Sequence, residues 1–84
     1  MKFAVVFERS ENNYSAYVPD LPGCIATADT LAEAERMIRE AIEFHLEGMA
    51  AHGEPTPAAS THVGFVDVAA PSGNSTNLLA ATRP

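Results

Sequence analysis

A chain of 84 residues with 46% apolar content and a net charge of −6 makes one small folded domain, not several domains and not a disordered polymer. It holds one cysteine, which excludes an internal disulfide, and no stretch approaches the roughly 18 apolar residues that span a bilayer, so the expected compartment is the cytoplasm. A domain this short buries only about 60% of its unfolded surface, so its size already favours association with another chain.

Read in chain order, "KFAVVFER" (2–9) is a first strand, with Phe3, Val5 and Phe7 on one side and Ala4, Val6 and Glu8 on the other. Its apolar run is too short for a signal-peptide core. "SENN" (10–13) has turn chemistry, and "YSAYV" (14–18) returns as the second strand of a hairpin. After a proline-rich connection, "CIATA" (24–28) makes a short third strand and completes a meander.

The helix signal is stronger. "TLAE" (30–33) reads as a capping box, Thr30 accepting from the Glu33 backbone while the Glu33 side chain reaches back. Leu31, Ala34, Ile38, Ala41, Ile42, His45, Leu46 and Met49 then recur near the helical period. Glu33, Arg36, Arg39, Glu40, Glu43 and Glu47 take the opposite side, with Met37, Phe44 and Gly48 along one flank. Gly53 and Pro55 end the helix.

"THVGFVDV" (61–68) reads as a last strand, reached by a right-handed crossover and pairing parallel to strand one at its free edge. The expected fold class is α+β, β-β-β-α-β, with a four-stranded mixed sheet of order 3-2-1-4 and one helix on one face. The folded domain is placed at 1–69 and a flexible C-terminal tail at 70–84. One helix covers one face of such a sheet, and the apolar side chains on the other face mark an interaction surface.

The stretch "YVPDLPGCIATADTLAEAERMI" (17–38) gathers the residues that chemistry could use. Asp20, Asp29 and Glu33 could in principle hold a divalent metal or move protons. Helix entry accounts for Asp29 and Glu33, however, and turn composition for Asp20. Cys24 could pair with His45 or His62, but no spacing supports a dyad, and a small buried strand residue is the default. His45, His52 and His62 lack metal-ligand spacing, and His45 falls on the inward helix stripe. No phosphate-binding glycine loop and no basic patch interleaved with aromatics is present, so no cofactor and no direct nucleic-acid contact is expected. The prolines instead suggest a stiff corner without internal hydrogen bonds that projects Leu21 and shapes the sheet edge.

Charge is uneven. Residues 29–54 carry seven acidic and two basic groups, whereas residues 1–28 sum to −1 and 55–84 to zero. That segment suits a basic protein partner and not a phosphate backbone, although a solvated helix face has the same composition.

Four motifs in order, namely Tyr14 to Cys24, Ala28 to Ala34, His45-Leu46, and Gly53 to Pro57, resemble those of the HicB-like antitoxin family. Ala28 stands where the family usually has glycine. The resemblance implies a partial ribonuclease H-like fold without the nuclease carboxylates. It also implies self-association as a dimer or tetramer, and neutralisation of a small basic, RNA-cleaving toxin of the HicA type. Family members often add a C-terminal DNA-binding segment; residues 69–84, with one arginine and two prolines, are not expected to hold one. The expected function is therefore a non-enzymatic antitoxin that occludes a toxin surface. Partner contacts are expected at Tyr14 and Tyr17 on the open sheet face, at Asp20, Leu21 and Pro22 on the corner, and at Glu40, Glu43 and Glu47 on the acidic helix face. The alternatives are an orphan homo-oligomeric module with an unknown ligand, and a residual nuclease using Asp20 and Asp29 with magnesium.

Overall fold

In a computed structural model of the protein, residues 1–71 are described. The elements run β1 (Val6–Arg9), β2 (Tyr14–Tyr17), β3 (Ile25–Ala28) and α1 (Leu31–Ala51). The strands form one antiparallel sheet of order β1-β2-β3. The tail assigned to 70–84 lies outside the described residues except for its first two positions.

Register fixes the faces. Phe7 lies opposite Ala16, and Ala16 opposite Ala26; Val6 lies opposite Tyr17, and Tyr17 opposite Ile25. Side chains alternate along each strand. Phe3, Val5, Phe7, Tyr14, Ala16, Val18, Ala26 and Ala28 therefore share the helix side, as the alternation in strand one implies. Ala4, Val6, Ser15, Tyr17, Ile25 and Thr27 share the other. The core consists of Ala16, Val18, Leu21, Cys24 and Ile38, with Ala34 also buried. Alanines at 16, 28 and 34 let the helix approach the sheet closely.

α1 begins at Thr30, whose Oγ1 accepts the Glu33 N–H at 3.1 Å. Only this half of the expected capping box forms: the Glu33 carboxylate turns to Arg36, 3.3 Å away. The helix ends in a Schellman motif. Gly53 sits at φ 73°, its N–H donates to the Ala50 carbonyl at 3.1 Å, and the Glu54 N–H donates to Met49 at 2.9 Å. Ile38, Ala41, Ile42 and Leu46 face the sheet as the periodicity predicts. Leu31 and Phe44 are largely exposed, because the first turn overhangs the sheet and Phe44 lies on the flank.

The proline corner differs from its sequence reading. It is two consecutive β-turns, each closed by a hydrogen bond: Leu21 N–H to the Val18 carbonyl at 3.0 Å and Cys24 N–H to Leu21 at 3.1 Å. Pro19 and Pro22 occupy the second turn positions, where proline's fixed φ is pre-set, and Gly23 takes φ 85° as a type II turn requires. The turn missing from the notion of a donor-free corner is supplied by the residues after each proline. Leu21 consequently points inward, at 1% exposure, instead of projecting to solvent.

Among the described residues the expected fourth strand and the order 3-2-1-4 do not form: the sheet has three strands, β1-β2-β3. Residues 61–68 are exposed and belong to no strand. Their first residue is held at the corner, where Asp20 binds Thr61, and the segment that follows makes no ladder with β1. β1 itself starts at Val6, not residue 2, because the pairing with β2 runs out there: Val18 N–H is turned to Cys24 on the β3 side, and Pro19, the next position facing β1, has no N–H to give.

Candidate functional site

The residues expected to meet a partner are divided by the fold among separate surfaces. On the uncovered sheet face, Val6, Tyr17 and Ile25 form a cross-strand row, with Tyr17 40% and Ile25 68% exposed. Three apolar side chains in register on a wetted face are an unusual concentration for so small a sheet. Tyr14 is not part of that row. Two positions from Ala16, it lies on the helix side, half-buried, with the Arg9 guanidinium 6.0 Å from its ring centre.

At the corner, Asp20 is a tie point. Its carboxylate accepts the Thr61 N–H at 3.0 Å, the Thr61 hydroxyl at 2.8 Å and the Ser60 hydroxyl at 3.3 Å. The backbone and hydroxyl bonds from Thr61 hold its pKa below the ordinary carboxylate value. Pro22 is exposed beside it, whereas Leu21 belongs to the core and cannot touch a partner. Nothing local in the sequence announces the pairing of Asp20 with Ser60 and Thr61, some 40 residues away.

The outer helix face carries Glu40, Glu43 and Glu47, all exposed. Arg36 bridges Glu33 and Glu40 at 3.3 and 3.2 Å. No ion pair engages Glu43 or Glu47 among the described residues. Because the helix lies between this ridge and the sheet, the ridge and the Tyr17 row face opposite directions. One compact partner cannot cover both.

The chemistry candidates are also taken apart. Asp20 precedes β3 and Asp29 follows it, so the strand separates them by roughly 13 Å along its length. Among the described residues, no three His, Cys, Asp or Glu side chains gather as metal ligands would. Cys24 is buried, and desolvation pushes its thiol above the ordinary range, away from the thiolate a nucleophile needs. His52 is exposed, with Nδ1 2.7 Å from the Gly48 carbonyl at the helix end. His45 is half-buried on the stripe and His62 lies in the exposed segment. No described helix is long and apolar enough to cross a membrane.

Similarity to known proteins agrees with this architecture. The family described as the HicB-like antitoxin of bacterial toxin-antitoxin systems matches residues 3–74. An uncharacterized 14.9 kDa protein in the rep-hol intergenic region of Haemophilus phage HP1 is 40% identical over 60 residues, covering 71% of this chain and 45% of its own. This chain thus spans less than half of that phage protein. A UPF0150 protein of Archaeoglobus fulgidus is 48% identical over 48 residues, 56% of this chain and 70% of the relative. One from Thermoplasma acidophilum is 38% identical over 58 residues, 68% of this chain and 84% of the relative. No solved structure matches at a significant level. With a match that runs from the first strand past the Asp20 anchor, the chain belongs to the HicB-like antitoxin family.

Proposed function

We propose that this protein is a non-enzymatic antitoxin that binds a small basic, RNA-cleaving toxin of the HicA type in the cytoplasm and occludes its surface. The observation that carries the reading is the acidic ridge on α1: Glu43 and Glu47 are exposed and make no ion pair among the described residues, on a segment holding seven acidic and two basic groups. Such a ridge raises the encounter rate with a basic surface and loses that advantage as salt screens it. Asp20 and Pro22 at the corner supply the adjoining polar rim, while Tyr14 beside Arg9 lies at the far end of the helix side. The three-strand meander followed by one helix supports a partial ribonuclease H-like fold, with no fourth strand among the described residues.

The test is co-purification and calorimetry with the product of an adjacent small basic reading frame. Binding should weaken with added salt, and Glu43→Gln with Glu47→Gln should slow association and flatten that salt dependence. Absence of binding at micromolar concentration, with both proteins folded, refutes the proposal.

A second reading is a homo-oligomeric module with an unknown ligand and no toxin. The Val6, Tyr17 and Ile25 row favours it, since an apolar row on the face opposite the helix is suited to a second copy. Ile25→Asp would then release monomers in light scattering without affecting any toxin binding at the helix ridge.

A further inference from the structure

α1 packs over β3 and β2 and leaves β1 uncovered at its side. The result is an open groove of about 580 Å³ between the sheet edge and the helix, floored by Phe3, Val5 and Phe7, walled by Ile38, Ile42 and Leu46, and rimmed by the charged Glu35, Arg39 and Glu43. β1 is also a free edge. Among the described residues its outer backbone groups have no strand beside them, and residues 3–5 lead directly into it, so an incoming strand could pair along the edge.

The same chain carries a strand with nowhere to go. From Thr61 to Val68 the backbone joins no helix or strand, and past the Thr61 N–H no residue up to 71 makes a hydrogen bond among the described residues. As a strand, this segment would put Val63 and Phe65 on one side and Val66 and Val68 on the other, and all four are exposed, Phe65 at 98%. An apolar side chain wetted on every side, in a period-two pattern, is what a sheet strand looks like before it pairs. Asp20 pins the root of this arm at the proline corner, and Pro55 and Pro57 stiffen the segment that leads to it. The arm leaves its own body without touching the groove.

We propose that residues 62–68 are a donated strand. The arm of one copy pairs with the β1 edge of a second copy and seats Val63 and Phe65 in that copy's groove. The exchange is reciprocal, so a closed two-fold dimer satisfies both edges and both arms. Each groove gains the layer its own chain does not supply. The free edge, the gap beside the helix and the stranded apolar arm are resolved together by one contact, and the occupant is identified by pattern and length: seven residues of arm, paired as a strand, span roughly 23 Å, enough to run along β1 and residues 3–5 that lead into it. This exchange is distinct from any association through the Tyr17 row, whereas Glu43 of the acidic ridge stands at the groove's rim, so the donated strand would lie beside the proposed toxin-binding ridge.

The experiment uses the full chain. Light scattering should give twice 8.9 kDa. In a mixed sample of isotope-labelled and unlabelled copies, filtered NOEs should connect the Phe65 ring with Phe3, Val5 and Leu46 of the other chain. Phe65→Asp should yield a monomer whose helical circular dichroism is retained. A monomer at several hundred micromolar overturns the proposal. So do Phe65 contacts confined to its own chain, or a dimer that survives Phe65→Asp. A dimer lost with Ile25→Asp but lacking interchain Phe65 contacts also overturns it. Because the NOEs are read on the unmodified protein, the result stands even where Phe65→Asp is poorly folded.

Discussion

Leu21 offers the sharpest check on the fold, since its surroundings in sequence and its place in the structure point in opposite directions. It stands between Asp20 and Pro22 in a turn, yet it is the large side chain most completely buried, at 1% exposure. Leu21→Ala removes the outer carbons of the side chain, costing about 2.4 kcal/mol at ~0.8 kcal/mol per carbon group. The turns on both sides are closed by hydrogen bonds and fixed by prolines, so the site collapses poorly, and the remaining hole adds roughly 1 kcal/mol. The expected loss is therefore about 3 kcal/mol, a large share of the ~4–13 kcal/mol that a chain of this length commands. At about 4–8 °C per kcal/mol the melting temperature falls by roughly 12–24 °C. Urea unfolding followed by circular dichroism measures it, at one fixed protein concentration because association raises apparent stability. Pro22→Ala at the exposed neighbour is the control, with an expected loss of only about 0.4–1 kcal/mol. A loss under about 1 kcal/mol for Leu21→Ala would mean that the corner projects this side chain outward, and the assignment of the core would be wrong.

Gly23→Ala isolates backbone strain: at φ 85° an added Cβ meets no atom within 4 Å, so the expected cost of about 1–2 kcal/mol is purely conformational, and a neutral result in the same melt refutes the left-handed turn. For Asp20, the Thr61 bonds lower the folded pKa below 3.8, so their contribution is fully present above that value and is lost as pH falls through the folded pKa. The Thr61 amide resonance should follow the Asp20 carboxyl in an acid titration by NMR, and Asp20→Asn should remove that step. A carboxyl that titrates at or above 3.8 in the folded protein would show that Asp20 does not anchor the segment.

The parts of this protein that depend on neighbours in sequence were readable without coordinates. Alternation in "KFAVVFER" put Phe3, Val5 and Phe7 on one shared face and the helical period put Ile38, Ile42 and Leu46 on one stripe, because side-chain direction follows directly from backbone repeat; that this strand face is the one turned to the helix came from the tertiary packing. Thr30 and Gly53 bounded the helix for equally local reasons. The motif order also carried the family. The candidate site was less legible. Tyr14 and Tyr17 look alike in sequence, but an odd spacing sends them to opposite faces; Asp20 looks like a spare turn carboxylate until Ser60 and Thr61 arrive beside it.

Pattern alone could say that residues 61–68 want to be a strand, since that preference resides in their own alternation. Which edge they meet, whether Leu21 turns in or out, and how the acidic ridge and the Tyr17 row come to face apart were decided only in three dimensions. Those outcomes depend on hydrogen bonds and contacts between distant segments, where a proline corner, an anchored arm and the lateral placement of one helix set what each side chain can reach.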